Sequence, residues 1–361
     1  MARIIALYLP QYHPIPENNE WWGAGFTEWV NVAQARPLFP GHQQPNIPAD
    51  LGFYDLRIPE VREQQAQLAK EAGIEGFMYW HYWYGGKKLL ERPFNEVVES
   101  GKPDFPFCLG WANHSWYKKR WCSDKGKDKL LIQQTYPGEQ DHIDHFYALL
   151  KAFKDDRYIK VNDKLFFLIY IPSEFPNLKD FFNLWRKLAK ENNLNDFYFV
   201  GQTITLKPQE VLDLGFDAVY DGDPMRIHNR NFLLLKIIKR TIGNVIRCGI
   251  VYKYSNAMKY FNSSQAADIN QIPGLYAGYD HSPRSRYKAY ILRGFSPKLF
   301  YKHIYQTLKL IKDKPIDNKI LIFQSWNEWG ESNYIEPDRR HGKEFILAMR
   351  KAIHDFYKSD I

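Results

Sequence analysis

Residues 59–82, PEVREQQAQLAKEAGIEGFMYWHY, contain a helix pattern followed directly by a strand pattern. The helix pattern, residues 59–72, has proline in its first turn and stops at Gly73, as the rules for helix ends expect. The strand pattern, residues 76–82, is a short run of apolar and aromatic residues. A helix and a strand joined in this way form the repeating unit of folds that are built on a parallel sheet.

The same alternation recurs along the chain, and eight strand patterns can be counted. Eight such units predict an α/β fold, a (β/α)8 TIM-type barrel, with its active site at the C-terminal ends of the strands. A doubly wound open sheet is the alternative, but no Gly-x-Gly-x-x-Gly or P-loop follows a strand to support its nucleotide-binding form. The predicted strands are residues 3–9, 76–82, 107–113, 165–171, 197–203, 218–221, 274–279 and 319–325, and the predicted helices are residues 59–72, 142–153, 178–191, 208–214, 297–311 and 342–357.

The length of 361 residues suits one barrel with insertions, so we predict a single catalytic domain over residues 1–361. Two connections are too long for ordinary barrel loops. Residues 11–57, rich in Pro, Trp and Gly, follow strand 1 and are expected to form a rim of the site. Residues 223–272, between strands 6 and 7, are expected to be a basic insertion with its own helices.

The composition is that of a globular protein, with 45% hydrophobic and 25% charged residues, which excludes disordered, collagen-like and coiled-coil chains. The 11 Trp, 24 Tyr and 24 Phe favour a sugar-binding cleft, because flat rings cover the apolar faces of sugars. A bulky aromatic core would give the same composition.

The cysteines and the N-terminus indicate a reducing compartment. Cys108, Cys122 and Cys248 are too few and too scattered for a disulfide framework, and none has a metal-ligand spacing. The first residues form an apolar run of strand length without the longer apolar region and cleavage site of a signal peptide. No stretch approaches the ~20 apolar residues that span a bilayer. We therefore expect a cytoplasmic location.

Aromatic, amide and carboxylate side chains dominate the predicted strand ends, where cations are few. A nucleic-acid or phosphate site would need the reverse, so we expect a carbohydrate partner and no nucleic acid. The histidines there lack the paired spacing of metal ligands and suit hydrogen bonds to hydroxyl groups, so we expect no metal and no cofactor. The candidate substrate-binding residues at these ends are Gln11, His13, Trp80, His81, Trp83, Asn113, His114, Trp116, Trp326 and Glu336.

The stretch after strand 8 contains two carboxylates three residues apart, Glu328 and Glu331, flanked by tryptophans. In unlike environments, one carboxylate can stay protonated as a general acid while the other is ionised as a base or nucleophile. Glycoside cleavage needs such a pair. Alternatively, the two residues cap the following helix or pair with Arg339 and Arg340, and their spacing does not distinguish these possibilities.

Five motifs connect the chain to a known family: YLPQYHPIPEN (8–18), WWG (21–23), GFTEW (25–29), DLGFYDL (50–56) and NEWGE (327–331). Over nearly its whole length the chain resembles the WbsX-type proteins of bacterial surface-polysaccharide clusters, which are related to the endo-α-mannosidase-like glycosidases of glycoside hydrolase family 99. The resemblance implies a (β/α)8 barrel, no metal, and retaining chemistry on an α-linked glycan. It also implies that Asp280 and Arg284 face the substrate, although such a pair equally often braces a loop.

The last motif reads Glu-Trp-His-Glu in the glycosidase relatives. Their first Glu takes the proton of the sugar 2-hydroxyl, so that this oxygen attacks the anomeric carbon, and their second Glu protonates the leaving oxygen and later activates water. The resemblance implies these roles for Glu328 and Glu331. Gly330 replaces the His, and His114 stands where WbsX-type sequences often have Glu, so the sugar preference of the mannosidases is not transferred to this chain.

We therefore predict a retaining, endo-acting glycoside hydrolase or transglycosylase that acts on a bacterial surface polysaccharide or its precursor. A glycosyltransferase in O-antigen, lipopolysaccharide or capsule biosynthesis is the alternative, because the WbsX group is commonly labelled so. The sequence offers only Asp221-Gly222-Asp223 as a weak Asp-x-Asp metal site for such an enzyme. A non-catalytic glycan-binding barrel is the third possibility.

No acidic residue occurs between Asp223 and Asp268, and the eight cations of that segment equal the whole formal net charge of +8. A basic segment of this kind predicts a partner, an anionic membrane or an acidic glycan contacted by residues 226–259. The alternative is that its Leu and Ile residues pack on the barrel and its cations are merely solvated. The cations are Arg226, Arg230, Lys236, Lys239, Arg240, Arg247, Lys253 and Lys259.

Overall fold

The computed structural model describes residues 1–118, 128–230 and 233–359, so Cys122 lies outside the described residues. Its centre is a ring of parallel strands, and the predicted (β/α)8 barrel is confirmed. The strands are β1 (Arg3–Tyr8), β2 (Gly76–Tyr84), β3 (Phe107–Trp111), β4 (Lys164–Ile169), β5 (Phe197–Gln202), β6 (Ala218–Tyr220), β7 in two pieces (Gln271–Ile272 and Gly274–Tyr276) and β8 (Ile320–Gln324).

The barrel closes through β7. Its first piece pairs with β6 and its second piece pairs with β8, and only Pro273 separates the two. Proline has no N–H to donate to a ladder, and the predicted strand begins only after it, at residue 274. The side chain of Asn262 covers the adjacent backbone: its oxygen accepts from the Gly274 N–H (3.1 Å), and its Nδ2 donates to the Gly274 carbonyl (3.0 Å).

The helices surround this ring, and the six predicted ones are found with bounds that agree within three residues. They are amphipathic segments that bury one side against the sheet, as in other barrels. The helices are α1 (Pro16–Trp22), α2 (Glu28–Gln34), α3 (Pro59–Ala72), α4 (Arg92–Ser100), α5 (Glu139–Phe153), α6 (Leu178–Glu191), α7 (Pro208–Asp213), α8 (Arg226–Arg230), α9 (Leu233–Val245), α10 (Tyr254–Ala257), α11 (Ser282–Ser285), α12 (Pro297–Leu310) and α13 (Glu344–Ser359).

The segment between β6 and β7 contains α8, α9, α10 and a strand, Ile250–Lys253. This strand pairs in parallel with Tyr290–Arg293, which in turn pairs with Tyr279–Asp280. The insertion is therefore joined by backbone hydrogen bonds to the connection that follows β7. The other short strands are Lys87–Leu89, Trp116–Lys118, Lys129–Ile132, Lys160–Val161, Asn327–Glu328 and Asn333–Tyr334.

The barrel strands are almost continuously buried, as expected for a parallel sheet that is covered by helices. Much of the aromatic content lies in this core, where Trp111, Trp185, Trp326 and Trp329 are fully buried. The aromatic side chains therefore form much of the core, and others line a cavity at the strand ends.

Candidate functional site

A cavity of about 710 Å³ lies at the C-terminal ends of the strands, where barrel active sites are found. The last residues of β5 and β8, Gln202 and Gln324, line it, as does Tyr170 directly after β4. Its wall is rich in aromatic rings, which suit the apolar faces of sugars. These rings belong to Trp22, Phe26, Trp80, Tyr82, Trp116, Tyr117, Tyr170, Tyr279 and Tyr290.

The guanidinium of Arg284 lies in this cavity and bonds to three carboxylates. Its Nε donates to Glu28 Oε1 (2.8 Å), its Nη2 donates to Glu328 Oε2 (3.0 Å), and its Nη1 donates to Glu331 Oε1. The structure therefore brings Glu328 and Glu331 together around one cation. Of the other proposed partners, the guanidinium of Arg340 donates instead to Gln43 Oε1 and Asn46 Oδ1 (3.4 Å each).

The segment that holds the two glutamates is fixed to the end of β1. The Asn327 side chain accepts from the Leu9 N–H (2.7 Å) and donates to the Leu9 carbonyl (3.1 Å). The Tyr12 hydroxyl donates to the Asn327 carbonyl (2.5 Å) and accepts from the Trp329 N–H (3.1 Å). Because these groups are buried, the bonds hold the Glu328 backbone in one place.

Because Gly330 has no side chain, the carboxylate of Glu28 can occupy the space next to its Cα. A Cβ added at Gly330 would lie 1.8 Å from Glu28 Oε1 and 2.9 Å from Arg284 Nε. A side chain at position 330, such as the His of the glycosidase motif, is therefore incompatible with this arrangement. Glu28 begins α2 in the long loop after β1, so a carboxylate from that loop stands where the motif residue would be.

The electrostatics of the cluster follow from its burial. Burial raises the pKa of Glu328, Arg284 lowers it, and the neighbouring Glu331 and Glu28 raise it, which together give a pKa of about 8. Burial opposes the charge of Arg284, but the three carboxylates raise the pKa of this guanidinium well above its usual value. Burial lowers the pKa of His281, whose Nε2 lies 3.9 Å from Glu331 Oε1.

Five of the predicted substrate-binding residues line the cavity: Gln11, Trp80, His114, Trp116 and Arg284. His81 and Trp83 do not, because side chains alternate along a strand and those of Trp80 and Tyr82 face the cavity instead. His81 Nε2 lies 2.8 Å from His145 Nε2, and Trp83 Nε1 donates to Asp141 Oδ1 (3.0 Å); both partners lie on α5.

Four more predicted residues are buried away from the lining. Asn113 bridges to Ile171, accepting from its N–H (2.7 Å) and donating to its carbonyl (2.9 Å). Trp326 packs on Phe77 in the core. His13 is 2% exposed, and burial lowers its pKa to about 4. Glu336 accepts hydrogen bonds from Tyr54, Gln65 and Trp329, and its burial raises its pKa to about 7.

Asp280 lines a second cavity and braces its loop. It accepts from His42 Nε2 (2.7 Å), Gln44 Nε2 (2.6 Å) and the Ser282 N–H (2.9 Å). Although burial raises its pKa, the hydrogen bonds from His42 and Gln44 hold it below the usual value. Asp280 thus positions the start of α11, on which Arg284 lies.

Glu28, Tyr170 and His281 line the cavity but were not among the predicted site residues. Tyr170 follows β4 directly and could have been found from its place at a strand end. Glu28 lies in the GFTEW motif, but no pattern in the sequence indicates that it contacts the residues of the NEWGE motif.

The chain is similar to known proteins over nearly its whole length. A family model described as "Glycosyltransferase WbsX" matches residues 4–349. Proteins named "Uncharacterized protein WxcX" from Xanthomonas campestris pv. campestris strains B100 and ATCC 33913 are each 34% identical over 353 residues, 98% of this chain and 50% of each relative. The chain therefore spans about half the length of the curated relatives it matches.

The fold is also found in solved structures, among them the following two. The GH99 endo-α-mannosidase from Bacteroides thetaiotaomicron in complex with bis-tris-propane has a TM-score of 0.60 at 13% identity, covering 99% of this chain and 98% of that one. A chain described as "Glycoside hydrolase-like protein" has a TM-score of 0.59 at 14% identity, covering 97% and 93%. These identities show likeness of fold. Together with the family match over almost all of its length, the comparisons show that the chain belongs to the WbsX glycosyltransferase family.

Proposed function

We propose that the chain is a retaining, endo-acting glycoside hydrolase or transglycosylase for a bacterial surface polysaccharide or its precursor. The observation that supports this most directly is the pair Glu328 and Glu331, held by one guanidinium in an aromatic-lined cavity at the strand ends. The shared fold with an endo-α-mannosidase supports an α-linked glycan as the substrate class.

In the proposed reaction, ionised Glu328 takes the proton of the sugar 2-hydroxyl while this oxygen bonds to the anomeric carbon. The bond to the leaving oxygen breaks, and Glu331 protonates that oxygen. Glu331 then takes a proton from water, or from an acceptor hydroxyl, as the new oxygen opens the 1,2-anhydro ring. Glu328 returns its proton to the sugar oxygen. Net retention follows from two inversions, and both carboxylates end as they began.

The roles of the two glutamates can be distinguished by pH dependence with a glycosyl fluoride, whose leaving group needs no protonation. Because burial raises the pKa of Glu328 to about 8, ionised Glu328 becomes more abundant as pH rises to that value. We therefore expect kcat/KM for the wild type to rise up to about pH 8 and then level off. A kcat/KM that does not change through pH 8 on the fluoride, but falls above about pH 8 on a natural glycan, would instead identify Glu328 as the proton donor.

The substrate is best sought by incubating the protein with a panel of polysaccharides and oligosaccharides, with products followed by NMR. The expected result is internal cleavage or transfer with the α-configuration in the first-formed product. A first-formed β-product would contradict retention. Binding of a glycan without turnover on any substrate would favour the non-catalytic barrel.

A glycosyltransferase is the second candidate, and the description of the matching family favours it. The described residues contain no group of three or more His, Cys, Asp or Glu that could hold a metal ion. We expect activity to be independent of sugar nucleotides and to survive EDTA. Transfer that requires a sugar nucleotide, and that EDTA abolishes and Mn²⁺ or Mg²⁺ restores, would establish the transferase.

We propose a cytoplasmic location. Cys108 and Cys248 are free thiols, which fits a reducing compartment. Within the three described ranges, no helix is both long and apolar enough to cross a bilayer.

A further inference from the structure

Helix α9 exposes its apolar side chains. Within residues 235–245 only Gly243 is buried. Leu235, Ile238, Ile242 and Val245 are between 42% and 76% exposed. The alternative that the Leu and Ile residues of the insertion pack on the barrel therefore does not describe this part of the helix.

These apolar residues form one face, because they follow each other at intervals of three and four residues. The side of α9 that contains Lys239 and Gly243 borders this face and is fixed to the rest of the insertion. A Cβ added at Gly243 would lie 2.5 Å from the Gly249 carbonyl oxygen, so helix and loop are in close contact. Lys239 Nζ donates to the Val251 carbonyl (3.2 Å). These contacts on the bordering side hold the helix in place and leave the apolar face exposed.

A basic groove of about 880 Å³ adjoins this face, and Ile246, 61% exposed, lines it. The described residues that line the groove include no carboxylate, and its cations form no ion pair within the described part of the chain. The exposed ring of Tyr260 lies in the same groove. The cations are Arg230, Lys239, Lys253, Lys259 and Arg293.

We propose that the apolar face of α9 and the basic groove together bind an anionic membrane surface. Apolar side chains of an interfacial helix enter the boundary between headgroups and acyl chains, while neighbouring cations contact lipid phosphates. A soluble acidic ligand would contact the cations but would leave the apolar face in water. The insertion begins beside the catalytic cavity, which Asp223 and Met225 line, so membrane binding places that cavity near the surface.

The test is co-sedimentation of the full chain with vesicles of phosphatidylglycerol and phosphatidylcholine, and with vesicles of phosphatidylcholine alone. We expect binding to the anionic vesicles that weakens with salt. Neutralising Arg230, Lys253 and Lys259 to Gln should lower the partition coefficient by about 100-fold, at about fivefold per cation. Replacing Leu235, Ile242 and Ile246 with Gln should lower it by at least about tenfold at every salt concentration.

The matched control changes three exposed lysines elsewhere, Lys154, Lys207 and Lys312, to Gln and should bind as the wild type does. Absence of wild-type binding to anionic vesicles at low salt would overturn the proposal. So would dimerisation through α9, or binding of a soluble acidic polysaccharide in place of vesicles. The assay contains no glycan substrate, so it succeeds or fails independently of the proposed catalysis.

Discussion

Replacing Glu331 with Gln is expected to lower turnover of a natural glycan by about 10²- to 10⁴-fold, the usual contribution of a general acid. Glu328→Gln should have an effect of similar size. Both variants should stay folded, because Gln fills the same space and Arg284 keeps two carboxylate partners. Turnover and the melting temperature are measured side by side.

The two variants should differ on a glycosyl fluoride, which needs no proton donor. Glu331→Gln should recover much of the first chemical step with this substrate, whereas Glu328→Gln should not. Glu63→Gln, an exposed carboxylate change on α3, is the matched control and should have wild-type turnover. If both site variants unfold while the remaining folded molecules keep full activity, the two glutamates are structural.

Gly330→Ala is expected to destabilise the protein and to impair catalysis together. The new Cβ would lie 1.8 Å from Glu28 Oε1, so Glu28 must move. The hydrogen bond from Arg284 Nε to Glu28 Oε1 is then lost or displaced. Inserting one methyl group into a filled site typically costs about 1–3 kcal/mol. The φ angle of Gly330 is not in the left-handed region, so the backbone itself accepts alanine.

The cause can be tested with the double variant Glu28→Ala, Gly330→Ala. Removing the Glu28 carboxylate vacates the space, so the double variant should be more stable than the two single effects predict by addition. The measurement is the free energy of unfolding of four proteins: the wild type, each single variant and the double variant. Wild-type stability and turnover in Gly330→Ala would show that Glu28 does not depend on the glycine.

The fold could be predicted because its helices and strands are determined by residues that are close together in the sequence. The helix pattern of residues 59–72 and the strand that follows it depend on apolar spacing and on Gly73, and the structure has α3 at the same bounds. The first piece of β7 could not be found, because Pro273 interrupts the strand and its partners lie on two different neighbours.

The site was less accessible to sequence reasoning for two physical reasons. In β2 every residue from Tyr79 to Tyr84 is aromatic, so no alternation of apolar and polar residues shows which side chains face the cavity. The contact between Glu28 and Arg284 joins residues 256 positions apart, and no spacing rule reaches that far.

The hydrogen bonds between Asn262 and Gly274 limit how much of the insertion could be replaced by another segment. The amide of Asn262 substitutes for the strand neighbour that Gly274 lacks, so the last part of the insertion is a structural component of the barrel wall. Loss of that amide would leave a buried N–H and a buried carbonyl unpaired, at a cost of about 1–3 kcal/mol each. A designed chimera with a different outer module must therefore keep Asn262 with the barrel. It must also keep Tyr254, whose hydroxyl donates to the Tyr276 carbonyl (2.6 Å), and Phe261, whose ring packs on that of Tyr276.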